Sequence, residues 1–259
     1  MKLKLIAAAA LLAATGAANA AIDNGATGNG ELFFSAWDGA NSYTFGLNTT
    51  IDAFQSSVSA VGAGTYVNAT LDALFTTYLS TANLSSLVWN IVANDGAGAR
   101  RVINTYTTLP ATTVTSDIAR SSTVGIQSFV TAVNTGITNQ GGVNSAVFAA
   151  ATPGYAANTT GIRFGNNNGG GINFNNTGTV ANNSYASGLG LMRLDGAQGG
   201  IAATTYTPYI DDGFAIRAYF DASAGKVTIA AVPEPETYAL LLAGLGLMGA
   251  IARRRRNQA

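Results

Sequence analysis

Histidine and cysteine are both absent from the 259 residues, and charged side chains make up only 10% of them. Without histidine there is no Ser-His-Asp triad and no histidine-ligated zinc site. Without cysteine there is no thiol nucleophile, no sulfur-bound metal and no disulfide, so the fold must be held by core packing and backbone hydrogen bonds. Carboxylates are the catalytic groups that remain, and a glycosidase needs two of them facing one cleft. Asp211-Asp212 is the sole adjacent acidic pair of the body. Neighbouring side chains on a strand point to opposite faces, and Gly213 follows, so the pair reads as an acid-capped turn. Asn94-Asp95-Gly96-Ala97-Gly98 offers hard oxygen ligands. It lacks the alternating acids and terminal glutamate of a calcium loop and reads as a hairpin turn. No catalytic residue, cofactor or metal is therefore expected, and the chain is not expected to be an enzyme.

The scarce charges are unevenly placed. Lys2, Lys4 and Arg253 to Arg256 take six of the thirteen basic residues, and Glu234 and Glu236 take two of the thirteen acids. Seven bases against eleven acids leave the body at about −4. That balance gives no footing for nucleic acid.

At the start, Lys2 and Lys4 precede a ten-residue apolar stretch, Leu5 to Ala14, and then Ala18-Asn19-Ala20. Basic, apolar and small-residue segments in that order make residues 1–20 a secretory leader, with Ala18 and Ala20 at the positions signal peptidase reads and cleavage before Ala21. Ten residues of helix reach about 15 Å, half of a bilayer core, which argues against a permanent anchor.

Residues 21–232 are the part that must fold. In ELFFSAWDGANSYTFGL, two β-prone runs flank Asp38-Gly39-Ala40-Asn41, which predicts a hairpin. A second hairpin is predicted from Leu84–Ala93 and Ala99–Leu109, and a third from FAIRAYFD and KVTIAAV around Asp221 to Gly225. Two stretches have helical spacing. Leu71, Leu74, Phe75, Tyr78 and Leu79 follow Thr70 as a cap, and Val124, Ile126, Phe129, Val130 and Val133 end at Gly136. The Asn- and Gly-rich Gly165–Gly190 reads as a long surface loop. The expected fold is mainly β, an antiparallel β-sandwich-like body with minor helices.

The last 27 residues, 233–259, differ from everything before them. Pro233 and Pro235 cannot donate backbone hydrogen bonds and push their neighbours to extended conformations, so VPEPE ends the last strand in a stiff segment. Thr237 to Ala252 is uncharged and as a helix would span about 24 Å, a short transmembrane helix. Arg253, Arg254, Arg255 and Arg256 would stop transfer and stay cytoplasmic, leaving the body outside.

VPEP, an apolar span and an arginine cluster, in that order at the end of a chain, closely resemble the PEP-CTERM sorting signal of exported proteins in Gram-negative bacteria. The opening ELFFSAWDGANSYTFGLN and the closing FDASAGKVTIAAVPEPE also look like the first hairpin and the exit of such proteins. The resemblance implies that an exosortase recognises Pro233, Glu234 and Pro235, cuts near them, and releases or transfers the body. It also implies transient residence in the inner membrane, a final place at the cell surface or outside it, and a host that makes exopolysaccharide and biofilm. The expected function is thus a non-catalytic surface or matrix protein, with signal peptidase, exosortase and the inner membrane as partners and exopolysaccharide as a further candidate. An alternative is a carbohydrate-binding or adhesion module stacking sugars on Trp37 and Trp89. A hydrolase using paired carboxylates is the third reading.

Overall fold

ELFFSAW, residues Glu31–Trp37, forms strand β1 and is buried at all seven positions. Alternation sends Leu32, Phe34 and Ala36 into one apolar cluster and Phe33 and Trp37 into another, so both faces of this strand are covered. The computed structural model describes residues 21–61, 64–98, 100–110, 113–140, 144–157, 176–196, 200–204, 206–211, 213–231, 243–245 and 248. The leader 1–20 and the motif 233–235 with its arginines lie outside the described residues. So does the span 237–252, apart from the helical residues 243–245 and 248. Among the described residues no helix is long and apolar enough to cross a membrane.

After β1 the strands are β2 (Asn41–Thr50), β3 (Thr65–Thr70), β4 (Val88–Asn94), β5 (Arg101–Tyr106), β6 (Val114–Thr115) and β7 (Ser145–Ala149). They continue as β8 (Gly178–Thr179), β9 (Leu189–Asp195), β10 (Ala203–Thr204), β11 (Thr207–Pro208), β12 (Ile210–Asp211), β13 (Phe214–Asp221) and β14 (Lys226–Ala231). Among the described residues three helices, α1 (Ile51–Val61), α2 (Ala73–Thr81) and α3 (Ser116–Gln140), are inserted between strands. Twelve strands form one sheet whose path runs β3-β14-β13-β9-β5-β4-β1-β2-β7, with β8, β11 and β12 paired off it. Every pairing among the described residues is antiparallel.

The body is mainly β, as expected, but it is not a two-sheet sandwich. The second sheet among the described residues is only β6 with β10. β1 and β13 stand four steps apart along the path, about 19 Å in a flat sheet. Yet the Phe34 and Phe220 ring centroids are 4.8 Å apart. The sheet has curled until its own strands face one another. Trp89, 5.9 Å from Phe220, and Phe75 of α2, 5.7 Å from it, complete this inner core. On the outer face α3 lays Ala119, Ile126, Phe129, Val130, Val133 and Ile137 over Phe33, Val92, Val102, Met192 and Leu194. One curled sheet with a helix outside replaces the second sheet of a sandwich.

All three expected hairpins are present, and their turns show why. Asp38 accepts from the backbone N–H groups of Ala40 at 2.9 Å and Asn41 at 2.8 Å, with Gly39 at φ +97° between them. Asp221 likewise accepts from the N–H groups of Ser223 and Ala224, each at 3.0 Å, and sets the turn into β14. The helix boundaries differ from the sequence reading. Thr70 ends β3, and Asp72 caps α2 by accepting from the Phe75 N–H at 3.2 Å. α3 does not end at Gly136 but runs on to Gln140. A Cβ at Gly136 would lie 2.2 Å from the Phe148 ring, so this glycine makes room for a strand side chain instead of breaking the helix. α1 has no counterpart in the sequence reading. Its Ile51, Phe54 and Val58 are buried, and Asn29 accepts from the Asp52 N–H at 2.8 Å at its start.

Both ends of the sheet path are shielded. The curl sets β3 opposite the second half of β2, and Phe45, Leu47, Asn48 and Thr49 with Tyr66–Thr70 line a depression of about 350 Å³ between them. At the other end, the Gln140 side-chain amide donates to the Val147 carbonyl at 2.7 Å and accepts from the Val147 N–H at 3.0 Å. The amide thus occupies the outward backbone pair of β7, as a further strand would, and covers an edge that invites pairing with other chains. Gln140→Ala is expected to raise the concentration-dependent self-associated fraction above that of the wild type, measured by light scattering on gel-filtration fractions. Unchanged association would show that the amide does not protect the edge.

Candidate functional site

The sorting motif starts where the sheet stops, so the site is built from β14 outward. Lys226–Ala231 alternates too little to be an edge strand: five of its six residues are buried. It pairs with β13 on one side, Asp221↔Lys226 through Ile216↔Ala231, and with β3 on the other, Lys226↔Thr70 through Ala230↔Thr65. The Ala231 N–H donates to the Gly64 carbonyl at 2.9 Å, which ties down the last described residue before the tail. One residue, Val232, then separates the bonded strand from Pro233. Proline lacks an N–H and so cannot donate to a ladder.

The exit is braced by the short β12, paired with the start of β13 through Ile210↔Ala215 and Asp211↔Phe214. Asp211 is buried and accepts a hydrogen bond from the Tyr66 hydroxyl of β3. Burial and the Asp211 carboxylate together push the Tyr66 hydroxyl well above the ordinary tyrosine range. Asp211 therefore ties β12 to β3. The turn expected before Gly213 is present, since Asp211 pairs with Phe214 across two residues and Gly213 has φ +84°; the Asp211 carboxylate is engaged by Tyr66, and Asp212 lies outside the described residues.

Two carboxylates do meet elsewhere. Thr27, Gly28, Asn29, Asp52, Asp95, Ala97, Gly98 and Arg101 line an open depression of about 400 Å³. Arg101 bridges Asp52 through Nη1 at 2.8 Å and the nearly buried Asp95 through Nη2 at 2.8 Å, and also donates to the Gln55 carbonyl oxygen at 2.7 Å. The guanidinium bridges the two acids, each to a different Nη, as a structural ion-pair network. The Asn94 to Gly98 turn expected between β4 and β5 is present, with Gly98 at φ +58° and Asp95 turned to Arg101. Among the described residues no group of three or more acids is placed to hold a metal ion.

The other acids hold the chain together. Burial raises the Glu31 carboxyl, and its bonds from the N–H groups of Asn48 at 2.7 Å and Asp23 at 3.3 Å only partly offset this. That carboxyl clasps the N-terminal segment to the first hairpin. For Asp38 burial is the largest influence and acts upward, but N–H donors from Asn41, Asn83 and Ala40 outweigh it and hold the carboxyl below the usual range.

The tryptophans are not surface stacking faces. Trp37 is 7% exposed and Trp89 fully buried, its indole N–H donating to the Thr179 carbonyl at 2.9 Å. Nor is the Asn-rich stretch wholly a surface loop. Residues 165–175 lie outside the described residues, but Asn176 is fully buried, and β8 pairs with β4 through Val88↔Thr179. Sequence reasoning missed the Asp52–Arg101–Asp95 bridge; the carboxylate six residues before Arg101, across a predicted turn, was the available signal.

Because Asp95 is nearly buried and relies on Arg101, Arg101→Met is expected to cost about 3–5 kcal/mol, as for a broken buried pair. Arg101→Met with Asp95→Leu should recover most of it. Urea denaturation with the linear extrapolation measures both, and equal losses in the single and double variants would mean that the pair is not the source.

Comparison with known proteins bears on the tail. Residues 231–256 match the family model described as the PEP-CTERM protein-sorting motif. No curated protein and no solved structure shows a significant match to the chain. The body that ends at β14 is therefore followed at once by a PEP-CTERM protein-sorting motif, which marks an exported, exosortase-processed protein addressed to the cell envelope or surface.

Proposed function

We propose that residues 21–232 form a non-enzymatic structural module of the cell surface or extracellular matrix, embedded in exopolysaccharide, and that both ends of the chain serve only to deliver it. The leader 1–20 is removed by signal peptidase after Ala20, and the body emerges outside the inner membrane. The span 237–252 then holds it there with Arg253 to Arg256 on the cytoplasmic side, until exosortase cuts beside Pro233-Glu234-Pro235.

The observation that carries this reading is the direct junction between an internal strand and the motif at residues 231–256. Pairing on both sides lets β14 stay in the sheet once the tail is gone, so the cut need not touch the body. The charges support a structural role too: Arg101, Asp38, Asp211 and Asp221 all bind other parts of the chain. A hydrolase would be expected to keep two carboxylates free for substrate.

Fractionation of the native host with mass spectrometry of the C-terminus tests the proposal. The wild-type body is expected in the extracellular polysaccharide fraction without Arg253 to Arg256, whereas Pro233→Ala should stay in the inner-membrane fraction with all four. A mature wild-type protein that keeps its arginines would overturn the processing step. Recovery of the processed body only from the soluble periplasm would overturn the matrix role.

A further inference from the structure

The fold takes hold of the chain one residue after the expected leader cut. Ala21 is exposed, but Ile22 is 1% exposed and belongs to the apolar cluster of the outer face, with Phe33, Phe129, Val130 and Val133. The Asn134 side-chain amide of α3 grips its backbone twice: Oδ1 accepts from the Ile22 N–H at 2.9 Å, and Nδ2 donates to the Ile22 carbonyl at 2.9 Å. A neighbouring strand would make the same pair of bonds, so α3 fills the place of a pairing strand at Ile22.

The next residues are fastened too. The Asp23 N–H donates to Glu31 Oε2 at 3.3 Å, and its carbonyl accepts from the Glu31 N–H at 3.0 Å. Asn24 donates through Nδ2 to the Thr131 hydroxyl at 3.2 Å, and its carbonyl accepts from the Asn94 amide at 3.0 Å. A Cβ on Gly25 would lie 2.0 Å from the Asn94 carbonyl oxygen, so only glycine lets the chain lie this close to β4. Residues 22–24 are thus bonded to α3, β1 and β4 at once.

A peptidase binds the residues on both sides of its scissile bond as an extended strand lying in its cleft. The bond between Ala20 and Ala21 lies at most about 6 Å from the Ile22 Cα, since successive Cα atoms are about 3.8 Å apart. We infer that folding of the body closes the leader site: signal peptidase cuts only while Ile22 is undocked, so the cut precedes the packing of residues 22–24 on the body. The inference rests on the reading that residues 1–20 are a leader. Hydrolysis adds one water across the Ala20–Ala21 bond and leaves a carboxylate on Ala20 and an ammonium on Ala21. The ammonium lies on an exposed residue, so docking of Ile22 buries no charge and proceeds once the leader is gone. A chain that folds first stays tethered by its leader, and Asn134 is the latch that sets this order.

The full-length precursor, folded in detergent micelles, is mixed with purified signal peptidase beside the same chain diluted from urea at the moment of mixing, and loss of the leader is followed by gel shift. Emission of Trp37 and Trp89, both buried in the folded body, reports folding in each sample. The folded precursor is expected to lose its leader at least about tenfold more slowly, because cutting then follows the small population in which Ile22 has opened. Two changes should bring the folded rate back toward the unfolded one with tryptophan emission unchanged. Asn134→Ala removes the latch, and a Gly-Ser-Gly-Ser insertion after Ala21 carries the scissile bond away from the body. Equal rates for the folded and the freshly diluted wild type would overturn the inference and leave the leader standing. A folded precursor that stays resistant with the insertion would place the block elsewhere than at Ile22 and overturn the inference. No cutting of either sample would overturn the leader reading, and the inference with it.

Discussion

Phe34 and Phe220 touch across the inside of a single sheet, 4.8 Å between ring centroids, though three strands lie between theirs along the ladder. That contact exists only because the sheet curls, and the remaining architecture follows from the curl. It makes an enclosed aromatic core with Trp89, Phe75 and Tyr43, turns the free edge of β3 toward β2, and leaves the convex face for α3 to cover. It also keeps β14 inside the ladder, where two neighbours hold it. A chain with no disulfide has only such packing and pairing to fix its last strand.

The consequence is a clean division between cargo and address. β14 ends at Ala231, and the match to the sorting motif starts at that same residue. The few charges of the body follow the same division. Most of those that the structure describes bind the chain to itself, as in the Arg101 bridge or the Asp221 turn, while the arginines of the tail are grouped beyond the apolar span. A body low in charge and rich in Asn, Thr and Ser suits the matrix role proposed for it.

Features set by local chemistry were legible in the sequence. Asp38-Gly39 and Asp221 to Gly225 fold as turns because their carboxylates accept from the N–H groups two and three residues ahead, which depends on nothing distant. The tail was legible for the same reason, since proline, an uncharged run and arginines each act where they stand. What the sequence hid is what depends on distant residues. Alternation in β1 shows that the strand has two buried faces but not that one is covered by the same sheet returning and the other by α3. Gly136 reads as a helix end until Phe148 is found against it. Trp37 and Trp89 read as candidate stacking faces although aromatics in β-proteins are more often core, and the fold places both in the core. The pairing of β3 with β14 joins segments about 160 residues apart, and no local pattern announces it.

The central claim is that the body is complete without its tail, held by β14 as an inner strand. Amide hydrogen exchange on the full-length chain and on a chain ending at Val232 tests it most directly. The account predicts equal protection over Val227 to Ala231 and over Val67 of β3 in both. Loss of protection in β14 and β3 of the shortened chain, with β1 and β4 still protected, would contradict it and make the tail part of the fold.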